Sequence, residues 1–252
     1  MQMAILLYDC VTALDAVGPY EILSRIPGAE VVFTAARPGP IRTDMNSLAL
    51  TADAALSGLV TPDVLLVPGG PGTADLLADA PTLDWLRHVD ETSSRTTSVC
   101  SGSLLLAAAG LLTGRRATSH WVCLDQLSAL GAVPATERVV IDGKYATAAG
   151  VSAGIDLALS LTGHMAGDEI AEAIQLVTEY APQPPYNTVS TATAPPALFA
   201  ALRASGLVVG TVWHCPRWRS PLADETRFRD TAGGSGQAPG VLITSVVDTG
   251  RA

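Results

Sequence analysis

A chain of 252 residues, 48% hydrophobic and 15% charged, is long enough to bury one large α/β core, with or without an appendage. Its formal net charge of −9, from 15 basic and 24 acidic residues, argues against a nucleic-acid or anionic-membrane surface. The longest apolar stretch, Leu104–Leu112 with Gly110 inside it, falls far short of the roughly 20 residues of a membrane span, and Met1–Leu7 lacks the basic leader of a signal peptide.

Met3–Leu7 reads as a buried strand, Asp15–Arg25 as a helix and Glu30–Ala35 as a second strand. Ile41–Leu56 alternates in short runs, as a hairpin does. Asp63–Val67 is a buried strand running into Pro68-Gly69-Gly70-Pro71-Gly72. Pro81–Glu91 predicts a helix, and Arg95–Val99 a strand leading into Cys100 and an apolar helix. Arg116–Thr118 is expected as a short strand and His120–Leu130 as a helix. Arg138–Asp142 and Lys144–Thr147 flank Gly143 as a strand pair with a tight turn. Val151–Leu161, apolar nearly all round, predicts a buried helix. Asp168–Tyr180 predicts an amphipathic one with Ile170, Ala173, Ile174 and Val177 on a single face. Strands alternating with helices imply a mostly parallel sheet covered on both faces.

From Pro182 the composition changes. PQPPY and STATAPPA read as linker, Leu198–Ala204 as one short helix, and residues 206–252 as a tail or packed arm of near-zero net charge. The chain therefore divides into an α/β domain over residues 1–190 and a linker with C-terminal extension over 191–252, without a second independent domain. Cys10, Cys100, Cys123 and Cys215 form no CxxC pair and no metal-ligand spacing. They read as free thiols in a reducing cytoplasm, with no metal site.

In an open parallel sheet, ligands sit where loops from the carboxyl ends of different strands meet. Three loops should converge there: the one leading to Asp15, the one carrying Gly69 and Gly70, and the turn at Cys100. Cys100 is flanked by Ser98, Ser101, Gly102 and Ser103, residues suited to a tight turn and a helix start. A sulfur there would lie near the positive end of the following helix, which favours thiolate. The amide of Ser101 with one from Gly69 or Gly70 would make an anion hole, and Asp15 would move a proton. Bland readings stand beside these. Cys100 also fits an inert core thiol, Asp15 a helix N-cap, and PGGPG a simple turn. Of the histidines, only His120 falls near an expected strand end.

Five stretches resemble the ThiJ/PfpI superfamily of class I glutamine amidotransferase-like proteins, and within it the isonitrile hydratase group: LDAVGPYEIL (14–23), PGGPG (68–72), SVCSGSLLLAAAGLLTGRRATSHW (98–121), ERVVIDGKYATAAGVSAGIDLALSL (137–161) and VTEYAPQPPYN (177–187). The resemblance implies a flavodoxin-like three-layer α/β sandwich, generally a homodimer, with its cysteine nucleophile on an elbow. By position Cys100 matches that nucleophile and Asp15 the acidic residue of the first helix. Ser101 stands where the isonitrile group usually has threonine, so a hydroxyl able to bond the acid or substrate is kept. The amidotransferases' H-x-E pair is absent, and the histidine that follows the nucleophile in PfpI-type proteases is replaced by Ser101. Residues 190–252 offer no pair of amphipathic helices, which argues against the related DNA-binding regulators.

The resemblance implies a hydro-lyase in the cytoplasm that hydrates an organic isonitrile to the N-formamide without metal or cofactor. Its only partners would be a small-molecule substrate and a second copy of the chain, with no nucleic acid or membrane. Residues around His120, Trp121, Gly150 and Val151 are expected to set the substrate range. Two alternatives stay open: a cysteine-dependent enzyme acting on another small electrophile, and a non-enzymatic ligand or redox sensor.

Overall fold

The structure is a computed structural model that describes residues 1–188 and 190–204. The expectations for 206–252, Cys215 included, lie outside the described residues. Strand β1 (Gln2–Leu6) is apolar and buried from its second residue on, without alternation, because helices cover both faces of the sheet. It leads through helix α1 (Ala13–Leu23) to β2 (Glu30–Ala35). The expected hairpin follows as β3 (Gly39–Arg42) and β4 (Ala49–Ala52), paired antiparallel outside the main sheet, and then a short edge strand β5 (Ala54–Ala55). Strand β6 (Val64–Val67) runs into the glycine-rich loop and α2 (Thr73–Leu76). Helix α3 (Ala80–Thr92) starts where Asp79 accepts the Thr82 amide at 3.0 Å, with Pro81 in its first turn, where the missing N–H costs nothing.

Strand β7 (Arg95–Val99) is followed directly by the Cys100 turn and α4 (Gly102–Ala108). Next come β8 (Arg116–Ala117), α5 (Leu124–Ala129) and β9 (Val133–Pro134), with β8 and β9 forming a separate two-stranded ribbon. Strands β10 (Val139–Asp142) and β11 (Tyr145–Ala148) turn at Gly143, which has φ +64°. Helices α6 (Ala153–Ala166), α7 (Asp168–Val177) and α8 (Pro196–Ala204) complete the described chain.

The main sheet runs β10-β11-β7-β6-β1-β2-β5, parallel except for the β10–β11 pair. The chain steps from β1 to β2 in one direction, then returns past β1 to build β6 and β7 in the other. Right-handed crossovers in opposite directions put their helices on opposite faces. Accordingly α1 packs on α6 and α6 on α7, while α4 gathers α2, α3 and α5. The result is the expected three-layer α/β sandwich, with its topological switch between β1 and β6. Among the described residues, no helix is long and apolar enough to cross a membrane.

Two helix expectations are corrected. His120–Leu130 is helical only from Leu124, because the His120 carbonyl accepts the Cys123 amide at 2.8 Å in a turn. Helix α7 ends at Val177, and of its predicted face only Ile174 is buried; Val177 is 74% exposed.

Candidate active site

The carboxyl ends of β1, β6 and β7 meet at the switch, and the Cys100 turn is built there by its small neighbours. Cys100 has φ +60°, a conformation that costs a non-glycine residue on the order of 1–3 kcal/mol. Its N–H is shared between the Ala148 and Ala149 carbonyls at 3.1 and 3.0 Å. Its own carbonyl accepts the Ser103 and Ser119 hydroxyls at 3.2 and 3.0 Å. A Cβ on Gly102 would lie 2.0 Å from the Val67 carbonyl oxygen, so only glycine lets the turn pass over the end of β6. A Cβ on Gly69 would lie 2.5 Å from the Ser101 nitrogen and 2.9 Å from the Cys100 Cβ.

Asp15 is no N-cap. Thr12 holds that position, and Asp15 is fully buried in the first turn of α1. The Gly69 amide donates to its Oδ2 at 3.0 Å, while Oδ1 has no hydrogen-bond partner. Burial pushes its pKa up to about 7, against the downward pull of the Gly69 hydrogen bond and of the neighbouring Cys100. Burial also raises the Cys100 thiol well above its ordinary value, and the charge of Asp15 adds to the rise. The Ser101 and Val151 amides bonding to sulfur only partly offset it. The thiolate expected from the helix end is therefore corrected to a resting thiol: desolvation and an adjacent acid outweigh a seven-residue helix. Sulfur and carboxyl share one dry site, so ionising either disfavours ionising the other.

The glycine-amide anion hole is likewise corrected. The Gly69 N–H is used by Asp15, and the Gly70 N–H donates to the Ser101 Oγ at 2.9 Å. The Ser101 hydroxyl points along a relay rather than to the acid. It lies 2.9 Å from the Thr73 Oγ1, which lies 3.0 Å from the Tyr8 hydroxyl, which donates to the Pro68 carbonyl at 2.8 Å. With Tyr8 donating to Pro68, Thr73 donates to Tyr8, and the Ser101 hydroxyl has both the Thr73 Oγ1 and, at 3.4 Å, the Gly70 carbonyl as acceptors. The sequence reading missed Tyr8 and Thr73. Their only signal was position, one following β1 and the other following PGGPG, on loops at the same end of the sheet.

A cavity of about 260 Å³ opens over the thiol. Of the expected residues, Cys100, Ser101, Gly70, His120 and Val151 line it, whereas Asp15, Gly69, Gly150 and Trp121 do not. Asp15 therefore reaches the cavity through Cys100. Gly150 acts as a support, since a Cβ there would lie 2.4 Å from the His120 Cδ2. Thr12, Leu77, Leu104, Val122, Cys123 and Gln126 join the lining unannounced by the sequence. Burial lowers the pKa of His120 and lifts the Cys123 thiol to about 11, so the imidazole and the second thiol are neutral at pH 7. Cys100 and Cys123 are free thiols. Among the described residues, no three His, Cys, Asp or Glu side chains gather where they could hold a metal.

An α/β sandwich in which an inner strand, β7, runs directly into a cysteine held at positive φ defines the class. The DJ-1/PfpI family model matches residues 1–163, and the chain belongs to that family. Over 198 residues it is 42% identical to isonitrile hydratase of Pseudomonas putida, covering 79% of this chain and 86% of that enzyme. It is 38% identical over 136 residues to the HTH-type transcriptional regulator CdhR of Pseudomonas aeruginosa, covering 53% of this chain but 40% of the regulator. Among solved structures, a ThiJ/PfpI family protein from Pseudomonas syringae superposes with a TM-score of 0.80 at 39% identity, over 83% of this chain and 87% of that one.

Proposed function

We propose that the protein adds water to an organic isonitrile and releases the N-formamide, with Cys100 as nucleophile and Asp15 moving the proton. The observation that carries this reading is the thiol of Cys100 at the wall of a cavity, with the buried carboxyl of Asp15 behind it. The 42% identity to an isonitrile hydratase supports the substrate class.

The terminal carbon of R–NC accepts a nucleophile and a proton at one atom. As sulfur attacks, Asp15 takes the thiol proton and returns it to that carbon, so that C–S and C–H bonds form and a thioimidate results. Asp15, again a carboxylate, then removes a proton from water adding to the same carbon. Asp15 passes that proton to the nitrogen, the remaining hydroxyl proton goes to sulfur as the C–S bond breaks, and the formamide leaves with the thiol restored. Charge developing on carbon is quenched by the proton, so this route needs no oxyanion hole. Acyl transfer does need one, and the Gly69 and Gly70 amides that would have built it are engaged elsewhere.

The test follows formamide formation from an aryl isonitrile spectroscopically. Asp15→Asn should lose about 10²–10⁴ in kcat, the usual worth of a positioned acid–base group, and Cys100→Ala should lose all turnover. Activity kept by folded Cys100→Ala would end the reading. An inactive wild-type protein with reduced Cys100 would redirect it to another electrophile, or to a sensor whose Cys100 is oxidised by hydroperoxide.

A further inference from the structure

Helix α8 lies beyond the stretch matched by the family model, yet its Phe199 packs on Trp121, the neighbour of three cavity-lining residues. Over 196–202 only Phe199 and Leu202 are half-buried and the other side chains are exposed, so the helix covers one i, i+3 face. The Phe199 ring lies 5.4 Å from that of Trp121 at an interplanar angle of 41°. Trp121 in turn lies 5.6 Å from His120 at 33°. These are tilted aromatic pairs at favourable separation.

Trp121 does not line the cavity, but its neighbours His120, Val122 and Cys123 do. Their segment is a turn without helix or strand. Its own backbone hydrogen bonds are Cys123 to the His120 carbonyl at 2.8 Å and Val122 to the His120 Nδ1 at 3.4 Å. The imidazole is pressed against the Gly150 backbone on one side, where even a methyl group would not fit. The imidazole also packs against Trp121, and Trp121 against Phe199. His120 at the cavity wall thus contacts a glycine in the body and, through Trp121, an aromatic ring on α8.

We propose that Phe199 is a specificity-determining positioning residue: acting through Trp121 and His120, it fixes the cavity width and limits the substrate to a compact, monocyclic-sized substituent. At about 260 Å³ the cavity lies just below the range of about 300–1,000 Å³ that holds drug-sized ligands. The proposal takes this cavity as the substrate site, and so rests on the function proposed above.

Its test reads the cavity without isonitrile chemistry. In the full chain, the rates of Cys100 alkylation by iodoacetamide and by N-(1-pyrenyl)maleimide are measured, with the modified cysteine located by peptide mass. Phe199→Ala should raise the bulky-to-small rate ratio about tenfold, the scale of one lost aromatic pair, and Phe199→Tyr, which keeps the ring, should retain the wild-type ratio. An unchanged ratio in folded Phe199→Ala overturns the proposal. So does an equal rise for both reagents, which is what general loosening would give. In parallel, Phe199→Ala should lower KM for polycyclic isonitriles while kcat for a small one holds. A wild-type protein without isonitrile turnover would fail the proposed reaction and leave the alkylation ratio still readable.

Discussion

Burial of Asp15 is felt near neutral pH. A carboxyl held at about 7 instead of 3.8 binds a proton in the folded state that the unfolded chain has already released. Stability must therefore fall as pH rises from about 4 to about 7 and level off above, by up to about 4 kcal/mol at one pKa unit per 1.36 kcal/mol. Asp15→Asn removes the titration, so its stability relative to wild type should grow from pH 4.5 to pH 8. Urea denaturation at the two pH values checks this, and a constant difference would contradict it. The same ionisation predicts that kcat/KM climbs through pH 7. Cys100 was legible in the sequence because a thiol among serines and a glycine needs a turn to explain it. The state of that thiol was not, because it depends on burial under the closed layers and on Asp15, some 85 residues earlier in the chain.

At the scale of elements, the turn after β7 and the loop after β6 are one construction. A Cβ on Gly69 would run into the Ser101 nitrogen and the Cys100 Cβ, and the Gly69 amide orients Asp15. Gly69→Ala would force backbone against backbone, so both the Cys100 turn and the carboxyl must shift. The expected outcome is a kcat loss of about 10²-fold, since misplacing reacting groups by an ångström costs that much, with the fold retained by circular dichroism. PGGPG was legible as a turn, but its role was misassigned, because free amides and amides already bonded to Asp15 and Ser101 look alike in one dimension. The 120–123 segment failed as a helix for a similar reason: the packing of His120 on Gly150 is made 30 residues away.

For the whole molecule, the sheet centre carries stability and the switch carries the site. Leu66, 1% exposed on β6 between β1 and β7, fills the interior at that centre. Leu66→Ala should cost about 2–5 kcal/mol in global unfolding, read as a lowered urea midpoint with unchanged slope. The sequence by itself determined the strand and helix order, the parallel sheet and the three loops at its carboxyl ends, because hydrophobic period and turn chemistry are local and α/β topology follows from them. The tertiary structure alone decided the protonation of Cys100 and Asp15, the donors that no longer face the cavity, the Ser101–Thr73–Tyr8 relay and the Phe199–Trp121 clamp. Each of these depends on desolvation or on contacts between residues far apart in the chain, and neither exists until the layers close.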